Sequence, residues 1–228
     1  MEMDTSAEVK DWIKRQNAFT NSYLEKIPFR AKVEERLTKL FNYPKFSAPF
    51  RKGERLFYFK NSGLQDQSLL YMQKDGEEES VLIDPNSLSS EGTVALTSIG
   101  FSGDYKYMSY ALSAVGSDWK NLHIRNMETG EEMPEILDRL KFGGAAWYKD
   151  GFFYSAYDKP EKGMEYIATT ESPKIYYHAL GTAQDKDVLV FQNPGKEQRY
   201  YWPSASKDEK YLFISESQGT HGNAVHYR

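Results

Sequence analysis

The chain has four histidines, His123, His178, His221 and His226, to serve as general bases, and no cysteine to supply a thiolate. A serine nucleophile on a strand-to-helix elbow requires Gly-x-Ser-x-Gly, because only glycines let the backbone approach so closely. The nearest string, Gly100-Phe-Ser-Gly103, has the wrong spacing and reads as a turn. No His-Glu-x-x-His pair, Asp-rich calcium loop or glycine-rich phosphate loop occurs, so no metal and no cofactor are expected. His123, His178 and His226 fall in predicted strands, where a histidine on a strand face needs no function. His221 falls in the turn Gln218-Gly-Thr-His-Gly-Asn223. The adjacent Glu34 and Glu35 fit the polar side of a helix. Spacing alone therefore assigns no catalytic residue.

The elements that would position any site repeat along the chain. Phe101-Ser-Gly-Asp-Tyr-Lys-Tyr-Met-Ser-Tyr-Ala-Leu-Ser113 is a polar turn feeding an aromatic, apolar run, which is how a strand begins. The pattern returns in Arg51–Phe59, Trp147–Ser155 and Ser206–Ser215. Aligned on Phe57, Tyr107, Phe152 and Tyr211, the copies lie 50, 45 and 59 residues apart. A period of roughly 40–50 residues with several strands per unit marks propeller blades. Strands are predicted at Leu56–Lys60, Ser68–Gln73 and Ser80–Asp84, then at Lys106–Leu112, Leu122–Asn126 and Met133–Leu137. A third set covers Gly151–Ala156, Ile175–Leu180 and Asp187–Gln192, and a fourth begins with Tyr211–Ser215 and Ala224–Tyr227. That makes three blades and the first half of another, so the chain reads as cut at both ends.

Two helices precede the strands. Thr5 and Glu8 form a capping-box pattern ahead of Val9, Trp12, Ile13, Phe19, Tyr23 and Leu24, predicting a helix over 6–25. Val33, Leu37, Leu40 and Phe41 predict a second over 29–42. The two could pack on each other, but faces carrying Trp12 and Phe19 fit a further domain better. Asp75-Gly-Glu-Glu-Glu79 reads as a solvated hairpin tip and Asp158–Ser172 as a long exposed loop.

The net charge of −4 carries no basic excess, which argues against nucleic acid. No apolar run is long enough to span a membrane as a helix, so no membrane partner is expected. Met-Glu-Met-Asp-Thr-Ser at the start has neither the basic nor the apolar region of a secretory signal.

Seven strings in register then carry a resemblance. They include Gly63-Leu-Gln-Asp-Gln-Ser-Leu-Leu-Tyr71, Asp84-Pro-Asn-Ser-Leu-Ser89, Gly92-Thr-Val-Ala-Leu96 and Gly116-Ser-Asp-Trp119. Leu140-Lys-Phe-Gly-Gly-Ala-Ala-Trp147, Gly151-Phe-Phe-Tyr-Ser155 and Lys174-Ile-Tyr-Tyr-His-Ala-Leu-Gly-Thr182 complete the set. Together they resemble the N-terminal part of the prolyl oligopeptidase (prolyl endopeptidase) family of serine peptidases.

The resemblance implies a mainly β chain: two helices, then about three and a half blades of a seven-bladed β-propeller. It implies a helical segment over 1–45 that packs on a C-terminal α/β-hydrolase domain, and a partial propeller over 46–228. The parent would cleave short proline-containing peptides after proline, with the propeller gating access. The Ser, Asp and His would lie in the hydrolase domain, so this chain alone is expected to be inactive. Phe142, in Lys141-Phe-Gly143, matches an aromatic that faces the substrate cavity in that family. Positions around Tyr200 and Thr220 are not assigned. The resemblance suits a cytoplasmic enzyme, or a periplasmic one if a signal peptide precedes the chain. The alternative is a free-standing propeller-like binding module.

Overall fold

The computed structural model describes residues 6–114, 116–158 and 171–228. Two helices open the chain, α1 at Ala7–Leu24 and α2 at Arg30–Phe41. The α1 cap is Ser6, whose Oγ accepts from the Val9 amide at 3.2 Å. Thr5 of the expected capping box lies outside the described residues. Val9 is the single buried side chain of the two helices, while Trp12, Phe19, Val33, Leu37 and Leu40 stay exposed. The apolar stripes read from the sequence are present, and the helices do not cover each other.

The rest folds into four antiparallel sheets in chain order. The first contains β1 (Lys45–Phe46), β2 (Phe50–Lys52), β3 (Arg55–Asn61), β4 (Leu69–Lys74) and β5 (Ser80–Ile83), with β1 and β2 both pairing β3. The second is β6 (Val94–Phe101), β7 (Tyr107–Ala114), β8 (Lys120–Asn126) and β9 (Leu137–Leu140). The third is β10 (Ala146–Tyr148), β11 (Gly151–Ala156), β12 (Lys174–Ala179) and β13 (Val188–Phe191). The fourth is β14 (Tyr200–Ala205), β15 (Leu212–Gln218) and β16 (His221–Tyr227).

The first sheet thus starts two short strands earlier than the sequence pattern predicts, and each of the others one strand earlier. The repeated aromatic run marks the second strand of a blade, and the fourth blade shows three strands rather than two. The expected strand at Met133–Leu137 is instead β9, with one isolated bridge, Arg125 to Glu132, ahead of it. Residues 159–170 of the expected loop lie outside the described residues.

The turn joining first to second strand recurs in all four blades and bends through one left-handed residue: Gly53, Tyr105, Lys149 and Glu209, with φ of 58°, 61°, 50° and 55°. In two blades its hydrogen bonds are the same. Ser102 Oγ donates to Asp104 Oδ1 at 2.7 Å and accepts from the Tyr107 amide at 3.0 Å; Ser206 does so with Asp208 and Tyr211 at the same distances. These side-chain bonds hold the chain in place of a ladder. Ser102 is thereby a turn residue.

Neighbouring blades join through three apolar clusters. Phe57, Leu70 and Ile83 of the first sheet meet Met108 and Tyr110 of the second. Ala111, Leu122, Ile124, Leu137 and Leu140 of the second meet Phe152, Tyr154 and Ala156 of the third. Phe153 and Ile175 of the third meet Tyr201, Leu212 and Ile214 of the fourth. The period-2 pleat lets one strand serve two neighbours, so Phe152 faces one interface and Phe153 the next.

Candidate functional site

The inner strands β6, β10 and β14 converge on one recess of about 370 Å³. Its floor and rim come from Thr97 and Ser98 of β6, Lys120 of β8, the segment Phe142–Ala146, and Trp202 and Pro203 of β14. Phe142 lies on the connection that carries the chain from β9 to β10. β9 itself bends at Arg139, a non-glycine residue at φ 65°, and the connection then passes through Gly143 at φ 87°. A Cβ on Gly143 would stand 3.4 Å from Trp202 Cδ1, and one on Gly144 would stand 2.9 Å from Ser98 Oγ. Two glycines therefore let the segment press between the second and fourth blades and present the Phe142 ring beside it.

Aromatic rings surround that position. Phe142 meets Tyr200 edge-on at 5.3 Å, and Tyr200 stacks on Trp202 at 6.0 Å. Trp119 meets Tyr157 edge-on at 6.1 Å. The Lys141 ammonium stands 5.2 Å from the Trp119 ring and 5.9 Å from Phe142. Edge-to-face pairs favour a defined ring orientation; Trp119, Phe142, Tyr200 and Trp202 are half-buried and Tyr157 is buried. Burial pushes the Tyr157 phenol above its usual range, and it holds the Lys120 ammonium below the usual lysine range, opposed by the charge of Asp118. The wall can hold apolar or aromatic groups, and Lys120 stands among its lining residues.

The histidines are elsewhere. His178 is fully buried between the second and third blades, its Nδ1 2.7 Å from Asp187 Oδ1 and its Nε2 4.0 Å from Glu135 Oε1. Tyr154 Oη donates to Asp187 Oδ2 at 2.6 Å, and Gln184 Nε2 donates to Tyr154 Oη at 3.1 Å. His226 Nε2 lies 2.7 Å from Glu216 Oε2, and Glu216 is also paired with Arg199. His123 stacks on Tyr110 at 5.1 Å; burial lowers its pKa, opposed by the charge of Glu132. His221 opens β16. None of the described histidine rings hydrogen-bonds a serine, and among the described residues no group of three His, Asp or Glu side chains is placed to hold a metal ion.

The structure brings Phe142 to the recess and leaves Thr220 in the β15–β16 turn. Lys120, Tyr200 and Trp202 are its neighbours that residue spacing did not assign. The signal available was the aromatic run Tyr200-Tyr-Trp202, interrupted as a strand pattern by Pro203.

Residues 1–228 match the family model described as prolyl oligopeptidase, N-terminal β-propeller domain. The chain is 37% identical over 229 residues to a prolyl endopeptidase of Elizabethkingia miricola, and 38% identical over 229 residues to one of Elizabethkingia meningoseptica. Each match covers 100% of this chain and 32% of the relative. Prolyl oligopeptidase B from Galerina marginata, solved with a 25mer macrocyclization substrate, superposes with a TM-score of 0.86 at 27% identity, over 99% of this chain and 34% of that one. The chain spans about a third of the length of the curated relatives it matches.

Proposed function

Since the chain belongs to the prolyl oligopeptidase family, matching its N-terminal β-propeller domain throughout, we propose that it is the propeller portion of a serine endopeptidase that cleaves short peptides after proline. Acyl transfer in this reading is performed by the Ser, His and Asp of a C-terminal α/β-hydrolase domain. The helical segment 1–45 docks on that domain through the apolar stripes of α1 and α2, and the propeller gates access to the site. This chain contributes the wall opposite the chemistry, with Phe142 as its substrate-binding residue.

The observation that carries the reading is the placement of Phe142. Its ring stands at a recess where three inner strands converge, braced by Tyr200, on a segment that two glycines allow to reach there. An aromatic wall contacts ground state and transition state alike, so its loss should raise KM and spare kcat.

The test uses the full-length protein. It should hydrolyse a chromogenic glycyl-prolyl amide and be inhibited by a serine-directed phosphonate. Phe142→Ala should weaken capture by roughly 1–2 kcal/mol, from partial burial of one ring, with kcat nearly unchanged. A full-length protein that does not cleave after proline overturns the reading, and an unchanged kcat/KM in Phe142→Ala removes Phe142 from it.

A further inference from the structure

We propose that the recess beside Phe142 is a carboxylate subsite, in which the Lys120 ammonium holds an acidic group of the bound peptide. The inference rests on the reading that this wall meets substrate, and it adds a preference for one peptide chemistry.

Among the described residues, Lys120 is the one charged side chain lining the recess, and no Asp or Glu lines it. Two other half-buried lysines sit against a carboxylate. Lys60 Nζ is 2.8 Å from Glu79, and Lys174 Nζ is 2.7 Å from Asp158. Lys120 makes no such pair among the described residues; Asp118, the carboxylate that acts on it, is exposed. A half-buried ammonium without a hydrogen-bonded anion is held at a cost that an entering carboxylate would remove. Burial already disfavours its charge, in keeping with that cost.

The surroundings favour an anion further. Ser98 lines the same recess, and its hydroxyl bonds no other described residue, so it is available as a donor; the Thr97 hydroxyl is committed to the Ala111 carbonyl at 3.1 Å. The apolar rings of Phe142 and Trp202 line the recess as well, and apolar walls lower the local dielectric and strengthen a charge pair. Two groups on a peptide carry the required chemistry: an Asp or Glu side chain, and the free C-terminal carboxylate.

The experiment compares three matched peptides with one cleavable prolyl bond, using the full-length enzyme near neutral pH. One is neutral and amidated, one carries Glu in place of a Gln, and one is neutral with a free C-terminus. The readout is the ratio of kcat/KM for each acidic peptide to that for the amide, in wild type, Lys120→Met and Lys120→Arg of matched melting temperature. Wild type should favour at least one acidic peptide by about tenfold through KM, and which peptide it is identifies the carboxylate source. The ratio should collapse toward one in Lys120→Met and persist in Lys120→Arg. Equal ratios in wild type and Lys120→Met, or no acidic preference in wild type, overturn the proposal. If Phe142→Ala meanwhile raises KM for all three peptides, the substrate-facing wall stands and only the carboxylate subsite falls. If it changes none of them, the underlying reading falls as well.

Discussion

The Phe142 and Tyr200 rings meet edge-on, centroids 5.3 Å apart and planes at 81°, although 58 positions separate them in the chain. The contact ties the loop entering the third blade to the inner strand of the fourth. The orientation of the Phe142 ring therefore depends on a residue of another blade.

A double-mutant cycle reads that dependence. In the full-length enzyme, Tyr200→Ala should raise KM, and the loss in Tyr200→Ala/Phe142→Ala should fall short of the sum of the singles by about 0.5–1.5 kcal/mol. Strict additivity would show that the rings act independently on substrate.

Glu216 should shape the acid limb of stability. It is 2% exposed, and His226, Lys196 and Arg199 hold its carboxyl below the usual 4.5, the bond to His226 being the largest favourable cause. A carboxyl depressed by folding contributes fully above its unfolded value and loses that contribution as pH falls through its folded value. Glu216→Gln should therefore cost about 3 kcal/mol near neutral pH and flatten the decline below pH ~4.5. Melting temperatures of the full-length protein across that range check both parts. An acid limb identical to wild type would remove Glu216 from the account.

Asp187 holds two buried groups, His178 Nδ1 and Tyr154 Oη. Asp187→Ala leaves both without that partner and should cost about 2–4 kcal/mol, lowering the melting temperature by roughly 5–10 °C. Asp187→Asn, which keeps the shape and one acceptor, should recover part of the loss. Equal melting of wild type and Asp187→Ala would mean that the network contributes nothing.

How far the sequence announces these features depends on whether their physics is local. The blade repeat is local: polar turns such as Ser102–Asp104 and Ser206–Asp208 bond their own neighbours, so they are visible as strings. The inner strands are not. β10 is three residues long, β14 contains Pro203, and β6 contains Gly100, so none has the composition that marks a strand. They form because the adjacent second strand supplies a full ladder. Phe142 was reached through a run of resembling residues, because its surroundings are assembled from three blades. Lys120 gave no signal, since a lysine opening a strand is ordinary until its burial is known. The Glu135–His178–Asp187 alignment is equally hidden, with Glu135 more than 40 residues upstream of His178.

The helices offer a further test. Apart from Val9, the side chains of α1 and α2 have no buried position, and isolated helices of 18 and 12 residues are marginal in water. Expressed as these 228 residues by themselves, the chain should exchange amide hydrogens rapidly over 7–41 and slowly over β7, β8 and β11. The same helices should become protected in the full-length protein. Slow exchange over 7–41 in a monomer of the 228 residues would show that they need no further surface.

Phe152 and Phe153 are consecutive, yet one belongs to the contact with the blade before and the other to the contact with the blade after. Deleting or inserting a single residue in β11 would exchange these assignments along the rest of the strand and unmake both joints together. In β11, whose ladders to β10 and β12 run without a register shift, a change of length should therefore be far costlier than a substitution. Relatives that differ in size should carry their extra residues between strands, leaving the inward and outward alternation of β11 in phase.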